Sequence, residues 1–346
     1  MTNGGVSYEE GYYALTHGVG VFGLARDVVR VSGPDAERYL QGQLSQDVAA
    51  LALGGWAWAL ALSPQGKLDA FVRVYRAAAG EFILDTDAGM GPALVARLLR
   101  FRLRTKADVE QLEWRVVAVR GPGAASAASA TSAASAASAT EALRVPFRWD
   151  GLSGYDLLGA DLGGPFAPDG AVVVGEDAYE AARIEAGFPK HGAELDERTI
   201  PAEAGLVEAS VSFTKGCYTG QELVARIDSR GSNVPRHLRG LRLSGPAAPG
   251  ELLYRWPSTG LAGPGDEGRS GAGSPEGKEV GRLTSVARSP ARGWVALGYV
   301  GRAVVPGDTL AVVAAGGPGG PGAGTVHALV GNLPLSSEGP LSSDGR

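Results

Sequence analysis

One stretch of this 346-residue chain could do covalent chemistry: Lys215-Gly216-Cys217-Tyr218-Thr219-Gly220-Gln221-Glu222, continued by Val224-Ala225-Arg226, which carries the single cysteine of the sequence. A free cysteine is most often a small buried hydrophobe, but glycine and polar neighbours crowd this one. Gly216 and Gly220 let the backbone turn sharply and let a ligand or partner come close. Lys215 and Arg226 bring positive charge that favours the thiolate, the reactive form, at Cys217. A cysteine protease would need a histidine and an orienting amide beside the thiol. His17, His191, His237 and His327 are too scattered for the sequence to place any of them there. The same scatter leaves no metal-ligand spacing, and no glycine tract is followed by the lysine and helix of a phosphate loop.

A second group of interest is a carboxylate. Residues 176 to 186 have helical spacing and are closed by Gly187, with Pro189 just beyond, which places Glu185 in the last turn. There the helix dipole disfavours a negative charge by about 0.3 to 1 kcal/mol, so something else must hold it. The alternatives are a surface pair with Arg183 or Lys190 and a contact to a ligand. Downstream, Arg226, Arg230, Arg236, Arg239 and Arg242 with His237 form the one locally basic stretch. It reads either as a solvated face or as an anion-capturing surface, including a weak RNA contact through Arg230, Arg236 and Arg239.

The elements that must position these groups read as follows. Residues 19 to 31 are extended, and Ser32-Gly33-Pro34-Asp35 starts a helix with Tyr39, Leu40, Leu44 and Val48 on its inner face. Trp56 to Leu62 and Leu68 to Tyr75 form a hairpin about Ser63-Pro64-Gln65-Gly66-Lys67. A strand at Phe82 to Asp85 precedes a helix whose inner face carries Leu94, Val95, Leu98, Leu99 and Leu103, giving antiparallel strands layered with helices. Trp114 to Val119 is a strand, and the Ala-Ala-Ser repeat that follows, an insert over 121 to 141, lacks large apolar residues with which to dock. From residue 237 six short strands separated by glycine and proline turns predict a small barrel or sandwich, with 260 to 277 and 315 to 324 as long loop tips and 335 to 346 as a disordered tail.

Composition sets the bounds. The length predicts two or three domains. With 32 basic and 37 acidic residues the formal charge is -5, against non-specific adhesion to nucleic acid as the main activity. No basic segment leads into an apolar run at the amino terminus, and no apolar run approaches membrane-spanning length, so a cytoplasmic protein without membrane insertion is expected. One cysteine excludes an intrachain disulfide and a four-thiolate cluster site, so any iron-sulfur cluster bound here would need ligands from a partner.

The stretch Lys215 to Arg226 resembles the signature of the YgfZ family, relatives of the glycine-cleavage T-protein, and the likeness runs from Ser32-Gly33-Pro34-Asp35 to Leu297-Gly298-Tyr299-Val300. Arg183-Ile184-Glu185-Ala186-Gly187, with Pro201-Ala202-Glu203-Ala204-Gly205-Leu206, is similar to the T-protein stretch whose helix-end glutamate holds a pterin ring. The resemblance implies an α+β fold: two α/β-sandwich folate-binding domains, 1 to 24 plus 112 to 230 and 25 to 111, followed by an antiparallel β-barrel over 235 to 334. It implies tetrahydrofolate or a one-carbon derivative as cofactor, with Glu185 and Arg183 on the pterin side and Gly216, Tyr218, Gly220, Gln221 and Arg226 lining the site about Cys217 and Lys215. It further implies support for iron-sulfur client enzymes, including one that modifies tRNA. Aminomethyl or other one-carbon transfer is the enzymatic alternative, and a tRNA-binding module is the third. T-protein chemistry uses an aspartate just after a Gly-Gly turn. Here Ala70 and Phe71 take the corresponding positions and Asp69 falls one residue early, onto the opposite face of a regular strand.

Overall fold

The computed structural model describes residues 6–124, 142–162, 168, 170–229, 233–255, 279–314 and 325–335. Most of the repeat insert, both glycine-rich loop tips, Arg230 and residues 336–346 therefore lie outside the described residues. The chain divides into two units, Met1–Tyr179 with Pro189–Val234, and Glu180–Phe188 with Pro235–Arg346.

In the first unit the elements run α1 (Tyr8–His17), β1 (Gly20–Leu24), β2 (Arg26–Ser32), α2 (Ala36–Gln43), β3 (Trp56–Leu62), β4 (Leu68–Ala78), β5 (Glu81–Asp87), α3 (Gly91–Arg100), β6 (Asp108–Leu112), β7 (Arg115–Arg120), β8 (Leu143–Trp149), β9 (Leu152–Gly159) and β10 (Val172–Val173). Helix α4 (Glu176–Ala186) begins in this unit and ends in the other, and α5 (Val207–Ser210) and α6 (Gln221–Ser229) close it. Two five-stranded sheets result, ordered β10-β1-β7-β9-β8 and β3-β4-β5-β2-β6. Among the described strands, only β10 pairs in parallel, with β1. Residues 19 to 31 are thus two strands in two sheets, because Ala25 breaks the run.

The second sheet buries one face under α2 and α3. Val29, Val31, Val72, Val74 and Leu84 meet Tyr39, Leu40, Leu94 and Leu98 in one cluster. Leu44 and Val48 are fully buried there as well, although α2 stops at Gln43. Leu99 and Leu103 correct the expected inner face: they are 42% and 80% exposed, since Leu99 lies beside the buried Leu98 rather than on its face and α3 ends at Arg100, before Leu103. On its other face the second sheet meets the first through Val28, Ile83, Val116, Val145 and Leu158. Charges lie buried beside this apolar seam. Arg73 on β4 donates to Asp85 on β5 at 2.8 Å and forms an ion pair with Asp156 on β9 at 2.7 Å, and Arg120 on β7 pairs with Asp156 at 2.7 Å. Arg26 on β2 adds bonds to Asp85 and Asp87.

The second unit is a closed barrel of β11 (Arg236–Leu243), β12 (Leu252–Arg255), β13 (Glu279–Ser289), β14 (Gly293–Gly301), β15 (Thr309–Val313) and β16 (Val326–Gly331), in the order β11-β14-β13-β12-β15-β16. Alternate residues Leu241, Leu243, Leu283, Ala296, Val300, Leu310, Val312, Ala328 and Val330 fill it, and closure removes the exposed edges that short strands would otherwise carry. The expected tail does not begin at 335: Leu335 is 6% exposed and its N–H donates to the Glu185 carbonyl at 2.8 Å. No helix among the described residues is long and apolar enough to cross a membrane.

Candidate functional site

In the first unit, residues 211 to 220 form a loop pinned at both flanks, with Cys217 exposed between them. On the upstream side Ser212 N–H donates to the Ser45 carbonyl at 3.0 Å, while Ser45 Oγ donates to the Ser210 carbonyl at 2.6 Å. On the downstream side Thr219 N–H donates to the Gly42 carbonyl at 3.1 Å. Lys215 Nζ donates to the carbonyls of Gln41, Leu44 and Gln46 at 2.5, 2.7 and 2.9 Å, closing the end of α2, where helix carbonyls have no intrahelical donor. Burial lowers the Lys215 pKa to about 8, against a smaller raising effect of Asp47. With its three protons on carbonyls, Lys215 fixes the loop that carries Cys217.

The glycines flanking the thiol differ. Gly220, at φ +83°, sits against the β3–β4 turn, where an added Cβ would fall 2.5 Å from the Ser63 carbonyl oxygen. Gly66 of that turn presses back, its absent Cβ falling 2.5 Å from Leu223 Cβ. Around Gly216 an added Cβ would meet no protein atom within 4 Å, so packing does not explain that glycine. The Tyr218 side chain is buried beneath the loop, its hydroxyl pKa pushed up to about 12 by desolvation, and its ring lies 5.2 Å from Lys215 Nζ. Gln221 Oε1 accepts from Tyr218 N–H at 3.2 Å, closing the start of α6, and Arg226 pairs with Glu222 one turn back on an exposed face. Those two residues serve the local structure in ways that residue type alone did not reveal. The cleft lined by Gly66, Pro201, Leu223 and Ile227 encloses only about 10 Å³ and holds no flat bicyclic ring.

Arg183 and Glu185 belong to the second unit. Helix α4 ends at Gly187, whose φ of +70° closes it in the left-handed region. Leu333 packs so closely there that a Cβ at Gly187 would lie 2.8 Å from Leu333 Cδ2. The Glu185 carboxylate, 9% exposed, accepts from Arg292 Nη1 at 2.7 Å. This pairing answers the unfavourable dipole, and Arg183, 2% exposed, bonds Glu180, the Phe188 carbonyl at 2.6 Å and Ser285 Oγ at 2.8 Å. Arg292 stands 107 residues along the chain, in the turn between β13 and β14, and no spacing signal in the sequence points to it. Of the basic stretch, Arg236 stacks on Tyr299 at 4.3 Å, while burial lowers the Arg239 pKa and leaves its Nε without a hydrogen-bond partner. Asp69 is the extra residue of a β-bulge, since Ala61 pairs with Ala70 and Leu62 with Leu68. The bulge turns it to the helix-covered face, where Arg97 Nε donates to it at 2.9 Å. Among the described residues no three His, Cys, Asp or Glu side chains converge as a metal site would require.

No family model matches the chain. Over 224 residues it is 30% identical to the tRNA-modifying protein YgfZ of Hamiltonella defensa, covering 60% of this chain and 65% of that one. It is 31% identical over 237 residues to the mitochondrial iron-sulfur cluster assembly factor IBA57 of Mus musculus, covering 64% and 65%, and 29% identical over 208 residues to an uncharacterized protein of Haemophilus influenzae, covering 60% and 67%. The matches thus span about two thirds of these relatives' lengths. In fold, the crystal structure of glycine cleavage system aminomethyltransferase T from Bartonella henselae superposes with a TM-score of 0.74 at 22% identity, covering 96% of this chain and 91% of that one. With the Lys215 to Arg226 signature in and just after an exposed loop, the chain is similar in sequence to YgfZ and IBA57 proteins, and it has a T-protein-like fold ending in a closed barrel.

Proposed function

We propose that this protein binds a tetrahydrofolate and supports the assembly or repair of iron-sulfur clusters in client enzymes, tRNA-modifying ones among them, through the thiol of Cys217. The observation that carries the reading is the exposed Cys217 at the open part of a loop that Lys215 and Gly220 hold rigid. A thiol whose backbone is fixed on both sides, beside a glycine with open space over it, suits attack on, or exchange with, a group brought by a partner. The names of the relatives, a cluster assembly factor and a tRNA-modifying protein, support the same assignment.

Glu185 is the pterin anchor in this reading. Its donor set fits: a buried carboxylate that already accepts from a guanidinium can accept the side-by-side amino and ring N–H of a pterin. Arg183, tied to three partners, sets the end of α4 from which Glu185 projects. Bound folate would supply a one-carbon carrier, while this chain's residues bind and orient it. Aminomethyl transfer is disfavoured because Asp69, the nearest substitute for the T-protein aspartate, pairs with Arg97 on the helix-covered face. The work is assigned to the cytoplasm, with no membrane partner. In a cell lacking the native gene, a Cys217→Ala protein should bind folate normally and fail to restore cluster-enzyme activity. Full restoration would remove the thiol from the mechanism.

A further inference from the structure

We infer that Gln41 and Asp47 are positioning residues for the Cys217 thiol: they fold residues 41 to 50 into a cradle of three carbonyls that a charged amine, supplied by Lys215, fastens to the thiol's loop. This rests on the thiol reading of Cys217 and adds what holds that thiol in place. The Gln41 side chain reaches past the end of α2. Its Oε1 accepts from the N–H groups of Val48 and Ala49 at 2.8 and 3.1 Å, and its Nε2 donates to Asp47 Oδ1 at 2.9 Å. The same Asp47 oxygen accepts from Ala50 N–H at 3.3 Å, and Asp47 N–H donates to Gln46 Oε1 at 3.0 Å. These bonds fold the chain back on itself, so that the carbonyls of Gln41, Leu44 and Gln46 converge on Lys215 Nζ.

Three acceptors around one nitrogen call for three protons. An ammonium supplies three donors and no acceptor, whereas a neutral amine would turn its lone pair toward one carbonyl. Burial works against the charge on Lys215, and Asp47 works for it. Ser45, between two of the cradle carbonyls, anchors the segment to β3: its N–H donates to the Leu60 carbonyl at 3.0 Å and its Oγ accepts from Leu60 N–H at 2.8 Å. The acceptors that hold Ser212 and Thr219, the carbonyls of Ser45 and Gly42, lie in this same segment. A cradle that loses its shape therefore releases the thiol's loop on both flanks.

The test is amide hydrogen exchange on the full-length protein under reducing conditions, with cluster-enzyme activity measured in a cell lacking the native gene. Gln41→Leu and Lys215→Ala should each lower protection at Ser212 and Thr219 by about tenfold or more, the scale of one charge-assisted hydrogen bond, and leave the β5 amides unchanged. Methylammonium, compared with tetramethylammonium at equal ionic strength, should restore protection in Lys215→Ala and not in the Gln41→Leu/Lys215→Ala double variant. Gln41→Leu should also lose activity, and the swap Gln41→Glu/Asp47→Asn, which reverses donor and acceptor, should recover it. Where the leucine variant does not fold, Asp47→Ala takes its place. Unchanged protection in that variant, activity retained once protection is lost, or no difference between the two amines would overturn the proposal. Restored activity with Cys217→Ala would instead end the thiol reading, and the positioning role with it, whatever the exchange result.

Discussion

Replacing Asp156 with asparagine should destabilise the first unit far more than loss of one exposed ion pair. Asp156 is 1% exposed and forms ion pairs with two arginines that are fully buried, Arg73 and Arg120, at 2.7 Å each, without hydrogen-bond geometry. After the substitution Arg73 keeps Asp85 at 2.8 Å and the Pro146 carbonyl at 3.0 Å. Arg120 keeps only the carbonyls of Tyr155 at 2.8 Å and Val119 at 3.3 Å, and the Phe147 face at 3.7 Å. The loss is then that of one buried guanidinium without its counter-charge, about 3 to 5 kcal/mol, a large part of the about 5 to 15 kcal/mol that holds a typical domain together. Breaking the exposed Arg226–Glu222 pair by Glu222→Ala should cost only about 0.3 to 0.5 kcal/mol. Urea unfolding followed by tryptophan fluorescence measures both, since the Trp58 ring lies 5.7 Å from the Arg73 guanidinium. Joint replacement of Arg120 by methionine and Asp156 by leucine should recover most of the loss, because it leaves no charge unpaired. A loss below about 1 kcal/mol for Asp156→Asn would refute the view that these charges are coupled across the two sheets.

Further outcomes follow from the same geometry. Gly220→Ala should cost about 1 to 3 kcal/mol, from a left-handed φ of +83° and a Cβ 2.5 Å from the Ser63 oxygen. Gly216→Ala should leave the melting temperature unchanged and impair only the complementation assay, so a fall in melting temperature there would contradict the open space over that glycine. In acid, burial raises the Asp85 pKa, but Arg73 and Arg26 outweigh it and hold the carboxyl below the usual range. Its contribution is therefore present above about pH 4 and lost as pH falls below that toward the folded-state value. A melting temperature that stays flat from about pH 4 downward would contradict this.

The barrel was the most legible part of the chain. Its strands are apolar runs bounded by glycine and proline turns, so the pattern itself marks Thr309–Val313 and the ends of its neighbours. Helix α4 was equally plain, because Gly187 and Pro189 mark its end. Less was visible where tertiary contacts decide. Leu99 turns away beside the buried Leu98 and Leu103 lies beyond the end of α3, and β8 and β9 were not anticipated beside the alanine repeat. At the candidate site, residue types located Cys217 and Glu185, but long-range partners assign their neighbours' duties. Lys215 serves carbonyls 169 to 174 residues away, Arg292 serves Glu185 across 107, and the bulge at Asp69 overrides strict alternation on β4.

Folate titration of the wild-type protein against Glu185→Ala, with circular dichroism to verify the fold, tests the central claim most directly. Two charge-assisted hydrogen bonds to a buried carboxylate predict at least a 100-fold loss of affinity on a scale of about 1.5 to 3 kcal/mol per bond. Equal affinity in the two proteins would contradict the account.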